Sequence, residues 1–170
     1  MLSADFAERG YLSEEEFSRL QPSEERKKTG PVAILECVQD IPCNPCESAC
    51  PFHAITVGLP ITSLPVLHVD KCVGCGICIA KCPGLAIFVV DYSRPGPLGT
   101  VQLPYEFYPL PQVGDTVVAV DRKGETVDCA TVVRVNLTAG QDHTAVITVA
   151  VPKQIVHVVR AIKVIGSEKS

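Results

Sequence analysis

Cys72-Val73-Gly74-Cys75-Gly76-Ile77-Cys78-Ile79-Ala80-Lys81-Cys82-Pro83 is the stretch on which the fold turns. Its four cysteines are separated by two, two and three residues, and a proline follows the fourth. A second copy lies upstream. Cys43-Asn44-Pro45-Cys46-Glu47-Ser48-Ala49-Cys50-Pro51-Phe52-His53-Ala54-Ile55 aligns with Cys75-Gly76-Ile77-Cys78-Ile79-Ala80-Lys81-Cys82-Pro83-Gly84-Leu85-Ala86-Ile87. The copy departs from the pattern at its start, because Val38-Gln39-Asp40-Ile41-Pro42 separates Cys37 from Cys43. Apolar runs of strand length flank the copies: Val32–Leu35 before the first, Leu64–Val69 before the second, and Phe88–Val90 after it.

The chain has 170 residues, enough for one ordinary domain or two small ones. Hydrophobic residues are 46% and charged residues 20%, a globular composition. A net charge of −4 makes a poor phosphate binder, and with no Trp and 5% aromatics there is little to stack on bases. Nucleic acid is therefore excluded as a main partner. Met1-Leu2-Ser3-Ala4-Asp5-Phe6-Ala7-Glu8-Arg9 has neither the basic nor the apolar region of a secretory signal. The longest dense apolar run, Leu85 to Val90, is far short of the roughly 18 residues of a membrane span. The expectation is a cytoplasmic protein whose thiols stay reduced. Eight of its nine cysteines fall between Cys37 and Cys82, and the odd total also favours metal over disulfides.

The spacing C-x2-C-x2-C-x3-C-P is that of iron–sulfur ligands. A short loop can wrap one face of a cubane so that three thiolates reach three irons. Glycines let backbone N–H groups approach the sulfides, and the proline turns the chain away. Two alternatives bear on the ligands. Zinc also takes C-x2-C pairs, but in two separated pairs and not in a triplet-plus-one pattern. Cys37 is either a ligand across a longer loop, which closure entropy tolerates, or a buried thiol.

Residues 32–90 resemble a bacterial-type ferredoxin domain with two 4Fe-4S clusters and two βαβ-like halves, and His68-Val69-Asp70-Lys71-Cys72 is similar to that family's lead-in to its second motif. In that arrangement the fourth cysteine of each run serves the other cluster. The resemblance thus implies one cluster on Cys37, Cys43, Cys46 and Cys82, and another on Cys72, Cys75, Cys78 and Cys50. Glu36-Cys37-Val38-Gln39-Asp40-Ile41-Pro42-Cys43-Asn44-Pro45-Cys46 is also similar to small iron–sulfur subunits that accompany FAD-dependent amino-acid and amine dehydrogenases, including proline and hydroxyproline types. That likeness implies a hetero-oligomer with flavoprotein dehydrogenase subunits, FAD or FMN residing on the partners. It implies single-electron relay between flavins or to an acceptor. A free two-cluster ferredoxin and a redox-sensing or interaction module are the alternatives.

The expected class is α+β: a ferredoxin-like two-cluster module, then a small all-β half-open barrel, with a short helical arm in front. Residues 1–30 read as the arm. Ser13 and Glu16 form a capping box, Leu12 staples onto Phe17, and Pro22 ends the helix. Phe6, Leu12, Phe17 and Leu20 give the arm little to bury alone, so it is a surface helix pair or a docking element for a partner subunit. Residues 31–94 are the cysteine module, and residues 95–112 a proline-rich linker. Residues 113–166 form the β segment, with strands over Thr116–Asp121, Thr126–Asn136 and Thr144–Val151, and a hairpin turn at Arg122-Lys123-Gly124-Glu125. Gln154–Ile165 fits a strand or a short helix opened by Pro152. Cys129 alternates with Val127, Thr131, Val133 and Val135 and is expected to be buried. His53 and His68 are ordinary surface residues or tune a cluster from nearby. His143 beside Asp142 reads as part of a turn. No nucleophile–base or paired-carboxylate pattern emerges, so no substrate site of its own is expected.

Overall fold

Val32-Ala33-Ile34-Leu35 is apolar at every position, so both faces of this strand need cover. The computed structural model, which describes residues 5–141 and 143–165, shows what covers them. The readings that fall on residues 1–4, on Asp142 and on residue 166 lie outside the described residues. Strand β1 (Val32–Leu35) pairs antiparallel with β4 (Ile87–Asp91), Val32 facing Val90 and Leu35 facing Ile87. Every residue of both strands is buried. Val32, Ile34, Phe88 and Val90 enter one core, while Ala33, Leu35, Ile87 and Val89 enter a second. The period of two therefore divides one strand pair between two cores.

The second core is the cysteine side. It takes Cys46 from α4 (Pro45–Ala49), Cys78, Ile79 and Ala80 from α5 (Ile77–Lys81), and Ile55 from the hairpin of β2 (Ile55–Thr56) and β3 (Val66–Leu67). The first core takes its side chains from the arm and from the rest of the sheet, apart from Val146, which joins the second. From β4 the sheet continues through β5 (Leu98–Tyr105), β8 (Ala145–Pro152), β7 (Thr126–Asn136), β6 (Thr116–Val120) and β9 (Ala161–Val164), all antiparallel. It curls until β9 lies against β5 without pairing to it, and no closed barrel forms among the described strands.

Two stretches differ from their reading in sequence, and a third combines the two readings left open for it. Residues 98–105, inside the expected linker, form β5 at the middle of the sheet. Pro104 is tolerated there because β4 pairs only as far as Gln102, leaving the Pro104 nitrogen with no partner strand on that side. On β7, the register against β6 and β8 shifts near Val127 and Val133. These bulges change the parity of the strand, so Ala130 and Val132 face the core and Cys129 is exposed. After Pro152 the chain takes one 3₁₀ turn (Lys153–Ile155) and then returns as β9.

The arm packs on the chain's own sheet. Its helices α1 (Asp5–Arg9), α2 (Glu14–Ser18) and α3 (Glu24–Lys28) are single turns. The capping box forms: the Glu16 amide donates to Ser13 Oγ at 3.3 Å, and the Ser13 amide to Glu16 Oε2 at 2.9 Å. Leu12 and Phe17 join the first core. The Arg122 and Arg160 guanidinium carbons lie 3.7 and 4.9 Å from the centroid of the Phe17 ring. Phe17→Ala should therefore cost about 3 to 5 kcal/mol, read from the denaturant midpoint of the full chain. An unchanged midpoint would show the arm to be loosely attached.

Candidate metal centre

The two cysteine runs end in the same backbone turn. Each short helix stops at a cysteine with extended backbone, Cys50 at φ −81°, ψ 106° and Cys82 at φ −83°, ψ 109°. A proline follows, and two residues later the chain enters the left-handed region, at His53 (φ 48°) and Leu85 (φ 51°). Neither residue is a glycine, so each turn carries some strain. The turn brings the next amide onto sulfur: Ala54 N–H donates to Cys50 Sγ at 3.3 Å and Ala86 N–H to Cys82 Sγ at 3.4 Å. A third amide, Ala33 on β1, donates to Cys72 Sγ at 3.4 Å.

Strand pairing then crosses the repeats. Cys72, Cys75 and Cys78 line one cavity with Cys50, walled by Phe52, Leu67 and Ile77. Cys37, Cys43 and Cys46 line a second with Cys82, walled by Ile41, Pro65 and Ile87. Cys37 thus stands beside the other three despite its longer gap. All nine cysteines are free thiols, Cys46 and Cys78 being buried. Burial, helped by Cys72, Cys75 and Cys50, pushes the Cys78 thiol up to about 12. Burial and then Cys82 push Cys46 up to about 11. Cys37 is raised by burial, then by Cys82 and Cys43. Thiolates in these pockets need a cation, so metal would have to displace their protons.

Among the described residues no three His, Cys, Asp or Glu side chains converge on one ion-sized point. A single zinc would draw four sulfurs to about 2.3 Å from one centre. The thiols instead stand around cavities, an arrangement that suits a polynuclear cluster, and the amide–sulfur bonds suit it too. Cys129, His53 and His68 line neither cavity.

The second loop depends on two glycines. Gly74 (φ 65°) lies against Pro31, where a Cβ would come within 2.5 Å of the proline Cβ and 2.7 Å of its carbonyl carbon. Gly76 (φ 81°) starts α5, and the place of its missing Cβ is filled by the side chain of Gln102, whose Nε2 donates to Gly74 O at 3.1 Å.

Several supporting residues carry no sequence signal, because their partners are distant in the chain. Glu36, next to Cys37, accepts from Arg122 (Nε 2.9 Å, Nη2 2.6 Å) and from Arg160 (Nε 2.6 Å), residues 86 and 124 positions away. Gln102 and Arg26 act on the second loop in the same long-range way.

Residues 65–88, which contain Cys72, Cys75, Cys78 and Cys82, match the 4Fe-4S binding domain family. The chain carries a ferredoxin-type iron–sulfur domain. The polyferredoxin-like subunit of an aliphatic sulfonate oxidoreductase from Pyrococcus furiosus is 44% identical over 48 residues, 28% of this chain and 27% of that protein. The ferredoxin-type protein NapF of Haemophilus influenzae is 38% identical over 56 residues, 32% of each chain. The chain spans less than a third of the length of these relatives. No solved structure matches it significantly. No helix among the described residues is long and apolar enough to cross a membrane.

Gly74→Ala should lower stability by about 2 kcal/mol or more, combining a left-handed φ with a backbone clash. Gly84→Ala is the control: its φ is not left-handed and nothing lies within 4 Å. Equal denaturant midpoints for the two variants would contradict the close Gly74–Pro31 approach.

Proposed function

We propose that the chain is the electron-transfer subunit of a multi-subunit FAD-dependent oxidoreductase of the amino-acid or amine dehydrogenase type. In this reading Cys37, Cys43, Cys46 and Cys82 hold one 4Fe-4S cluster, and Cys72, Cys75, Cys78 and Cys50 hold the other. The observation that carries it is the meeting of four thiols around each of two cavities, each set completed from the opposite repeat. Bound there, such clusters supply one-electron redox chemistry.

The chain's own residues do the rest. Eight thiolates bind iron. The amides of Ala33, Ala54 and Ala86 bond to ligand sulfurs, spreading their charge and raising the potential. Ile79, Ile87 and Val89, each at most 1% exposed, keep water from the inner side. The outer side supports a partner. Phe52, Leu59, Ile61, Leu64 and Val66 are exposed, and the stretch that carries them, residues 51–67, contains no Asp, Glu, Lys or Arg. An apolar, uncharged surface of this kind marks a protein interface. The flavoprotein identity of the partner rests on the likeness of the Glu36–Cys46 stretch to dehydrogenase subunits. That one relative is named as an oxidoreductase subunit agrees with a place in a complex.

Anaerobic purification from the native cell tests the assembly. A flavoprotein should travel with the iron–sulfur absorbance in fixed ratio, and a brown monomer without flavin would contradict the complex. Iodoacetamide tests the sites. In the native loaded protein it should modify Cys129 and spare the other eight cysteines, and after acid removal of the clusters it should reach all nine, read by peptide mass. Any other cysteine labelled as fast as Cys129 in the native protein is not a ligand.

A further inference from the structure

Arg26, on the single-turn helix α3, reaches across to the second cysteine loop. Its Nη2 donates to Cys72 O at 2.6 Å and to Pro31 O at 3.1 Å. Its Nε donates to Val69 O at 2.9 Å, and its Nη1 to Gly30 O at 3.1 Å and Thr29 Oγ1 at 3.2 Å. All five acceptors are carbonyl or hydroxyl oxygens. None of the five is a carboxylate, and the planar fork of Arg is what matches this many fixed acceptors. The nearest acidic side chain lining the same cleft is Asp70, which is exposed. The other thiol set has a different neighbour: Glu36, next to Cys37, is bound by Arg122 and Arg160.

We propose that Arg26 is a positioning residue that sets the reduction potential of the cluster on Cys50, Cys72, Cys75 and Cys78. This rests on the two-cluster reading above. It acts in two ways. Its hydrogen bonds tie Val69, Cys72 and Pro31 together, holding the start of the loop against β1, where Ala33 N–H meets Cys72 Sγ. Its positive charge lies one carbonyl from a ligand residue and stabilises the extra negative charge that arrives when the cluster takes up an electron. Net charge and hydrogen bonding near the sulfurs are established levers on such potentials. The arm is thus an electrostatic part of the electron path.

Potentiometric titration of the full chain, followed by low-temperature EPR, tests this. The signal lost in Cys75→Ala identifies the second cluster, and the first serves as an internal reference. A wild-type chain that binds one cluster or none would contradict the two-cluster reading itself, before any Arg26 variant is compared. Given two clusters, Arg26→Gln should lower the midpoint of the second and leave the first in place. Arg26→Lys should recover most of the shift, since it restores the charge without the fork. The inference is overturned if Arg26→Gln leaves both midpoints unchanged, if both fall together, or if Arg26→Lys falls as far as Arg26→Gln. Should Arg26→Gln fail to load iron at the second set, Arg26→Lys decides: its second midpoint should stay close to that of the wild type, and a fall at the second cluster with the first unchanged would overturn the role of charge.

Discussion

The pairing of β1 with β4 is the constraint on which the rest of the molecule depends. The ladder runs from Val32–Val90 to Leu35–Ile87 and is extended by the Glu36 amide donating to Ala86 O at 2.8 Å. One residue further on, the first strand reaches Cys37, and a few residues back the second strand leaves Cys82. The small β2–β3 hairpin does the same for the other pair. Ile55 faces Leu67, His68 N–H donates to Ala54 O at 2.7 Å, and Cys50 and Cys72 flank this ladder. Each cavity thus lies between the entry to one repeat and the exit from the other. Crossing of the thiol sets is a consequence of antiparallel pairing between repeats.

The C-terminal strands make that arrangement firm where the sequence is least regular. Cys37 starts the longer, five-residue gap, and the residue before it is the one the sheet holds. Arg122 comes from the β6–β7 turn and Arg160 from the approach to β9, and both close on Glu36, with Phe17 covering the two guanidiniums. Burial pulls Arg160 down to about 10 while Glu36 opposes the fall, so it stays charged at neutral pH. Removing one member of such a group leaves a buried charge uncompensated, which is far costlier than losing a surface pair. The arm, the cysteine module and the β strands are energetically connected at this point.

What the sequence made legible was local. The repeat at Cys43–Ile55 and Cys75–Ile87 reappears as matched turns, down to the left-handed His53 and Leu85, and Val32–Leu35 and Thr126–Asn136 are strands with the expected bounds. Ser13 and Glu16 make the capping box that their spacing implies. What the sequence hid was long-range or parity-dependent. Pro104 disguised β5 as linker, because only the sheet order shows that its neighbour strand has already ended. The bulges in β7 turned an apparent inward face outward and exposed Cys129. The arm could be given no binding site of its own in sequence, since the arginines that hold Phe17 lie more than a hundred residues downstream. At the candidate metal centre, residue type and spacing picked out the cysteines that line the two cavities, but Glu36, Gln102 and Arg26 have no local motif.

The central claim is that each thiol set is completed by a cysteine from the other repeat. Low-temperature EPR of three reduced single variants, Cys82→Ala, Cys43→Ala and Cys75→Ala, tests it most directly. The account predicts that Cys82→Ala and Cys43→Ala perturb the same signal, although the two residues belong to different repeats, and that Cys75→Ala perturbs the other. If Cys82→Ala instead perturbs the signal lost in its sequence neighbour Cys75→Ala, the sets are not crossed and the account is wrong.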